Sequence, residues 1–106
     1  MKRTYGRLVR DRVPQLIKEN GGTATTRILD EGGYREALLD KIIDEVEEFR
    51  ATGNEEEIAD IFELLDCLTE LKGYEPMHID YLKLIKREAR GSYRDRILLD
   101  EVEDPA

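Results

Sequence analysis

Residues 41–68 read KIIDEVEEFRATGNEEEIADIFELLDCL, which is two helix-like segments separated by a short break. Each segment has two acidic residues three positions apart, Glu45 and Glu48 in the first, Glu57 and Asp60 in the second. On a helix, side chains at this spacing lie on one face about a turn apart. Two antiparallel helices joined at the break would bring the four carboxylates together, and such clusters hold hard cations such as Mg²⁺.

Apolar residues recur at helical spacing on both sides of the break, which predicts helices over 34–50 and 55–72. The predicted apolar stripes contain Leu38, Leu39, Ile42, Val46 and Phe49 in the first helix, and Ile61, Leu64, Leu65, Leu68 and Leu71 in the second. The four carboxylates border these stripes, where like charges are costly unless a cation joins them. Asn54 is predicted to cap the second helix, and Gly73 to end it.

The rest of the chain predicts two further helices and two short strands. A short helix is expected over 15–20 with Asp11 as its cap, and a long one over 77–90. The stretches TATTRIL at 23–29 and RILLDEV at 96–102 are predicted to be short β segments that could pair. The predicted fold class is therefore mostly α, a helical hairpin plus a third long helix, which would resemble a four-helix bundle on dimerisation.

The length and composition of the chain bear on its number of domains, its partners and its cellular location. The chain of 106 residues predicts a single domain, 1–106, and its net charge of −8 argues against a nucleic-acid surface. Cys67 is the single cysteine, so no internal disulfide can form, as expected in a reducing cytosol. No stretch resembles a signal peptide or reaches transmembrane length, and we therefore expect a cytoplasmic protein that binds neither membranes nor nucleic acid.

The stretch KIIDEVEEF followed by EEIADIFELLDCL resembles the all-α nucleoside triphosphate pyrophosphohydrolases, the MazG-like superfamily that includes phosphoribosyl-ATP pyrophosphohydrolases. The signature of that superfamily is Glu-Glu-x-x-Glu, a gap, and Glu-x-x-Asp. Here residues 44–48 read DEVEE and residues 57–60 read EIAD, so Asp44 stands where the family usually has Glu. The stretches RLVRDRVPQLIKENG and KREARGSYRDRILL resemble its small house-cleaning branch, and the resemblance covers nearly the whole chain.

The resemblance implies a metal-dependent hydrolase. Its metal would be Mg²⁺, with Mn²⁺ as the alternative, and its metal ligands and catalytic residues would be Glu45, Glu48, Glu57 and Asp60. The enzyme would cleave a nucleoside triphosphate between the α- and β-phosphates to give a monophosphate and pyrophosphate, as house-cleaning of non-canonical nucleotides. It would be a homodimer or a higher homo-oligomer. An oxygen-only site also agrees with a chain that has one His and one Cys.

Basic residues near the two ends of the chain are candidate phosphate contacts. Arginine donates two parallel hydrogen bonds to phosphate. The candidate substrate-binding residues are Arg10, Arg12 and Arg94, together with Lys41 and Asp44 beside the carboxylates. Two alternatives share the helical hairpin. One is a phosphoribosyl-ATP pyrophosphohydrolase of histidine biosynthesis, and the other is a non-catalytic helical dimer or regulatory module.

Overall fold

The described part of the protein is mostly α-helical, as the sequence predicts. The computed structural model describes residues 2–105, which contain four α-helices and no β-strand. The helices, α1 to α4 in chain order, span Val13–Glu19, Glu31–Thr52, Glu55–Lys72 and Pro76–Arg90. The mostly-α class, the helical hairpin of α2 and α3, and the third long helix α4 are therefore confirmed.

A two-residue link joins α2 to α3 and folds them into a hairpin. The link begins at Gly53, whose φ of 68° lies in the left-handed region that favours glycine. At the other end of α2, the Asp30 side chain accepts a 2.8 Å hydrogen bond from the Gly33 N–H. Asn54 occupies the cap position of α3 as predicted, but its side chain makes no capping hydrogen bond with the described residues. The hairpin places the predicted carboxylates on two packed helices.

The hairpin has a thin apolar core. Among residues 2–105, Leu38 is the one buried apolar side chain, with 1% of its surface exposed. Half-buried members of the predicted stripes are Ile42, Ile61, Leu64, Leu68 and Leu71, and exposed members are Leu39, Val46, Phe49 and Leu65. The apolar stripes are therefore wider than the surface that one partner helix covers.

Residues 23–29 and 96–102, predicted as short β segments, form no strand in the described part of the chain. Their β-branched side chains suit a sheet, but a strand is stable only where a neighbour satisfies its backbone N–H and C=O groups. Neither segment has such a partner among residues 2–105, and Ile28 and Ile97 are 98% and 84% exposed. The predicted strands and their pairing are therefore wrong.

Helix α1 begins at Val13 rather than at residue 15, and without the predicted cap. Arg12, not Asp11, occupies the position before the helix, and its backbone is already helical, with φ −92° and ψ −3°. A capping side chain needs an extended backbone at that position. Accordingly, within residues 2–105 the start of α1 has no side-chain capping hydrogen bond.

The chain divides into two compact units, one ending at Gly73 and the other starting at Tyr74. The first unit contains α1, α2 and α3, and the second contains α4. The prediction of a single domain stays a prediction. None of the helices within residues 2–105 is both long enough and apolar enough to span a membrane.

Candidate acidic site on the helical hairpin

Two of the predicted metal ligands, Glu45 on α2 and Asp60 on α3, interact across the hairpin. Glu45 is buried, with 5% of its surface exposed. Burial raises the pKa of Glu45 above its ordinary value, and the negative charges of Asp60 and Glu48 raise it further. The positive charge of Lys41 opposes this rise in pKa without cancelling it. A buried carboxylate and a half-buried one thus lie close together, an arrangement that a cation would stabilise.

Glu57 is a second buried carboxylate of the predicted set, with 6% of its surface exposed. It accepts a hydrogen bond from the Thr52 hydroxyl at the end of α2. Glu48, in contrast, is exposed. Within residues 2–105, no three carboxylate, imidazole or thiol groups converge as the ligands of one metal ion would. The structure therefore brings Glu45 and Asp60 together, joins Glu57 to the hairpin link, and leaves Glu48 in solvent.

Two cationic side chains contact the facing carboxylates. Arg10 donates from Nη2 to Asp60 Oδ1 at 2.6 Å, and this hydrogen bond raises the pKa of Arg10. Lys41 Nζ lies 3.7 Å from Glu45 Oε1 and donates a 2.9 Å hydrogen bond to the Tyr5 hydroxyl. Burial lowers the pKa of Lys41, but the hydrogen bond to Tyr5 and the nearby acidic groups outweigh burial and raise it. Both cations are therefore charged at neutral pH and supply counter-charge to the acidic pair.

The predicted substrate-binding residues are partly assembled. Those that lie at the acidic site are Arg10, Lys41 and Asp44. Asp44 Oδ2 is 2.8 Å from Arg7 Nε, so its carboxylate already has a cationic partner. Arg12 stands at the start of α1. Arg94 belongs to the unit that starts at Tyr74, and its role in substrate binding stays a prediction.

Tyr5 and Arg7 also contact this site, although neither is among the candidate substrate-binding residues predicted from the sequence. Both precede α1 in a segment that has neither helix nor strand between residues 2 and 12. No periodicity therefore indicates which residues of α2 they contact. The available signal is charge, because a basic segment precedes an acidic hairpin and opposite charges attract.

The chemistry of the donor set fits a hard divalent cation. Every candidate ligand is a carboxylate, whose oxygens are the donors that Mg²⁺ and Mn²⁺ prefer. Glu45 and Asp60 would hold the ion from two packed helices, with Glu48 and Glu57 as the further ligands predicted from the sequence. The ion would also relieve the repulsion that raises the pKa of Glu45.

This chain is similar in part to a protein from Mycolicibacterium smegmatis that is described as uncharacterized. The two are 48% identical over 44 residues, which amount to 42% of this chain and 45% of that protein. The chain therefore matches less than half the length of this curated relative. No family model and no solved structure match the chain.

Proposed function

We propose that this protein is a Mg²⁺-dependent nucleoside triphosphate pyrophosphohydrolase. It cleaves the bond between the α- and β-phosphates, releases a monophosphate and pyrophosphate, and clears non-canonical nucleotides. The observation that carries the proposal is the pair formed by buried Glu45 and half-buried Asp60, whose repulsion a divalent cation would relieve. The resemblance of the hairpin sequence to the MazG-like pyrophosphohydrolases supplies the reaction class.

The side chains around the site divide between metal binding and phosphate binding. The metal ligands in this proposal are Glu45, Glu48, Glu57 and Asp60. When bound, the cation screens phosphate charge and helps to activate the attacking water. Arg10 and Lys41 provide charged N–H donors beside the carboxylates, which suits them to the oxygens of a polyphosphate. The Asp60 side chain is 35% exposed, so a substrate can approach it from solvent.

The proposal includes a cytoplasmic homodimer or higher homo-oligomer that binds neither nucleic acid nor membranes. The exposed members of the apolar stripes support self-association, because a second hairpin would cover them. The net charge of −8 supports the absence of a nucleic-acid partner, since an acidic surface repels phosphate unless metal ions intervene.

Pyrophosphate release from a panel of standard and modified nucleoside triphosphates, with and without Mg²⁺, tests the proposal directly. Phosphoribosyl-ATP belongs in the panel, because release from it alone would favour the enzyme of histidine biosynthesis. We expect Mg²⁺-dependent release from at least one modified nucleotide. The base of that nucleotide would identify the substrate.

Matched substitutions test the carboxylates. Glu45→Gln and Asp60→Asn should lower Mg²⁺-dependent release on the order of 100-fold, because a catalytic metal ion contributes several kcal/mol to lowering the barrier. Glu47→Gln is the control, since Glu47 lies on the same helix but is exposed and pairs with Arg50 at 3.4 Å. Release that is unchanged in both site variants would overturn the proposal.

A non-catalytic helical module is the second candidate, because no three ligands converge within residues 2–105. This candidate predicts no change in thermal stability with Mg²⁺. A bound metal at 100 times its dissociation constant would instead add about 2.7 kcal/mol to the free energy of unfolding. No release across the panel together with no thermal shift would favour this second candidate.

A further inference from the structure

The segment before α1 lies against the acidic hairpin and contacts both of its helices. We call residues 5–10 the N-terminal strap. Three polar contacts hold it, Tyr5 with Lys41 and Arg7 with Asp44 on α2, and Arg10 with Asp60 on α3. Each of these hairpin residues is a predicted metal ligand or a predicted substrate contact. The N-terminal strap therefore contacts three of the residues that the proposed function uses.

Side chains rather than backbone attach the N-terminal strap. Within residues 2–105, no backbone hydrogen bond joins residues 5–10 to the hairpin. Leu8 is half-buried, whereas its neighbours Arg7 and Val9 are exposed. A segment held mainly by exposed ion pairs is released at low cost once another charge takes up its partners.

Arg10 already binds one of the two Asp60 carboxylate oxygens that a metal ion could use. Its Nη2 lies 2.6 Å from Asp60 Oδ1, so that oxygen already accepts a charged hydrogen bond. The charges of Glu63 and Glu45 also act on the Arg10 guanidinium. A divalent cation bound between Glu45 and Asp60 would face this guanidinium at short range, and two positive charges there repel strongly.

We propose that the N-terminal strap is an autoinhibitory contact in which Arg10 and a divalent cation compete for Asp60. In the cation-free protein, Arg10 neutralises Asp60 and the strap lies against the site. Binding of the cation displaces Arg10, loosens the strap, and frees its guanidinium groups for an anionic ligand. This inference rests on the part of the proposed function that assigns a divalent cation to the site.

Cation affinity is the first readout. Mn²⁺ binding is measured by electron paramagnetic resonance of the free ion, without nucleotide, for wild type, Arg10→Gln and Arg3→Gln. Arg3 is the matched control, because it is exposed near the strap and forms no ion pair with any described residue. We expect Arg10→Gln to bind Mn²⁺ about two- to fivefold more tightly than Arg3→Gln, the change that loss of one exposed ion pair gives.

The Arg10 side chain of the wild-type protein is the second readout, and it needs no substitution. Its guanidinium ¹⁵N resonance should move toward that of free arginine on saturation with diamagnetic Mg²⁺, while the Arg3 resonance stays in place.

Two outcomes overturn the inference. One is that Arg10→Gln and Arg3→Gln bind Mn²⁺ with equal affinity. The other is that Arg10→Gln binds Mn²⁺ more tightly but the Arg10 resonance of the wild-type protein does not move with Mg²⁺. Absence of cation binding in all proteins overturns both this inference and the proposed function. If Arg10 and the cation compete for Asp60 but no nucleotide releases pyrophosphate, the proposed reaction is overturned and this inference stands.

Discussion

At Glu45 a negative charge is held in a buried position beside the charge of Asp60. Burial and this neighbouring charge raise the pKa of Glu45 above its ordinary value of 4.5. A carboxyl with a raised folded-state pKa contributes stability that is fully present below the unfolded-state pKa and is lost as the pH rises through the folded-state pKa. At neutral pH and without a cation, the charge on Glu45 therefore destabilises the fold, although Lys41 lies 3.7 Å away.

We predict that Glu45→Gln raises the free energy of unfolding of the cation-free protein at neutral pH, by up to about 1 kcal/mol. The amide keeps the shape of the side chain and removes its charge. Urea denaturation in the presence of a chelator measures the change, and the advantage should shrink as the pH falls toward 4.5. Glu47→Gln is the control, since its side chain is 61% exposed. A Glu45→Gln protein less stable than Glu47→Gln would contradict the assigned shift in pKa.

The other buried carboxylate, Glu57, accepts a hydrogen bond from a hydroxyl at the end of α2. Thr52 donates to Glu57 and also accepts a 3.2 Å hydrogen bond from the Asn54 N–H. Thr52→Val keeps the shape of the side chain but leaves Glu57 without this donor, so we expect the free energy of unfolding to fall by about 1–3 kcal/mol. Thr69→Val should cost less, because Thr69 donates to the Leu65 carbonyl of its own helix. If urea denaturation gives the two variants equal losses in the free energy of unfolding, the bond to Glu57 stabilises the fold no more than the bond within α3 does.

At the scale of the helices, α2 and α3 begin with different caps, and this difference is testable. Asp30 accepts a 2.8 Å hydrogen bond from the Gly33 N–H, whereas the Asn54 side chain makes no capping bond with the described residues. Asp30→Ala should therefore lower the free energy of unfolding by about 1 kcal/mol. Asn54→Ala should change it by no more than a few tenths. Thermal or urea denaturation compares the two, and a larger loss for Asn54→Ala would contradict this assignment.

The helices could be predicted because their signals are local. Apolar residues recur at helical spacing through α2 and α3, and each of these helices ends at a glycine with left-handed backbone, Gly53 or Gly73. The strands expected over 23–29 and 96–102 depend on a partner that local composition does not specify. The prediction that Asp11 caps α1 is also wrong. Arg12 is the residue before the helix, and its backbone is already helical.

The acidic site could be predicted in part for the same reason. Helical phase places Glu45 and Glu57 at the border of the apolar stripes, and both are buried. The phase does not specify which side chains meet across the hairpin, so it does not predict the bond between Thr52 and Glu57. The contact between Arg10 and Asp60 joins residues 50 positions apart, and no periodicity in the sequence links them.

At the scale of the whole molecule, the hairpin has large apolar side chains that its own packing leaves exposed. On α2, Ile43 and Val46 are 58% and 41% exposed, and on α3, Phe62 and Leu65 are 65% and 44% exposed. The members of each pair are three positions apart, so they lie on one face of their helix. Two hairpins that cover these exposed faces would complete a four-helix bundle.

We predict that the wild-type protein sediments as a dimer or larger, and that Ile43→Glu and Phe62→Glu each shift it to a monomer. Each substitution places an unpaired charge in the expected interface, where desolvation is costly. Ile28→Glu is the control, because Ile28 is 98% exposed and lies outside the hairpin. Sedimentation velocity, with all the proteins at one concentration, measures the oligomeric state. A wild-type protein that sediments as a monomer would contradict the proposed homodimer. Loss of pyrophosphate release in the monomeric variants would mean that the site needs the second copy, whereas full release would mean that one hairpin is sufficient.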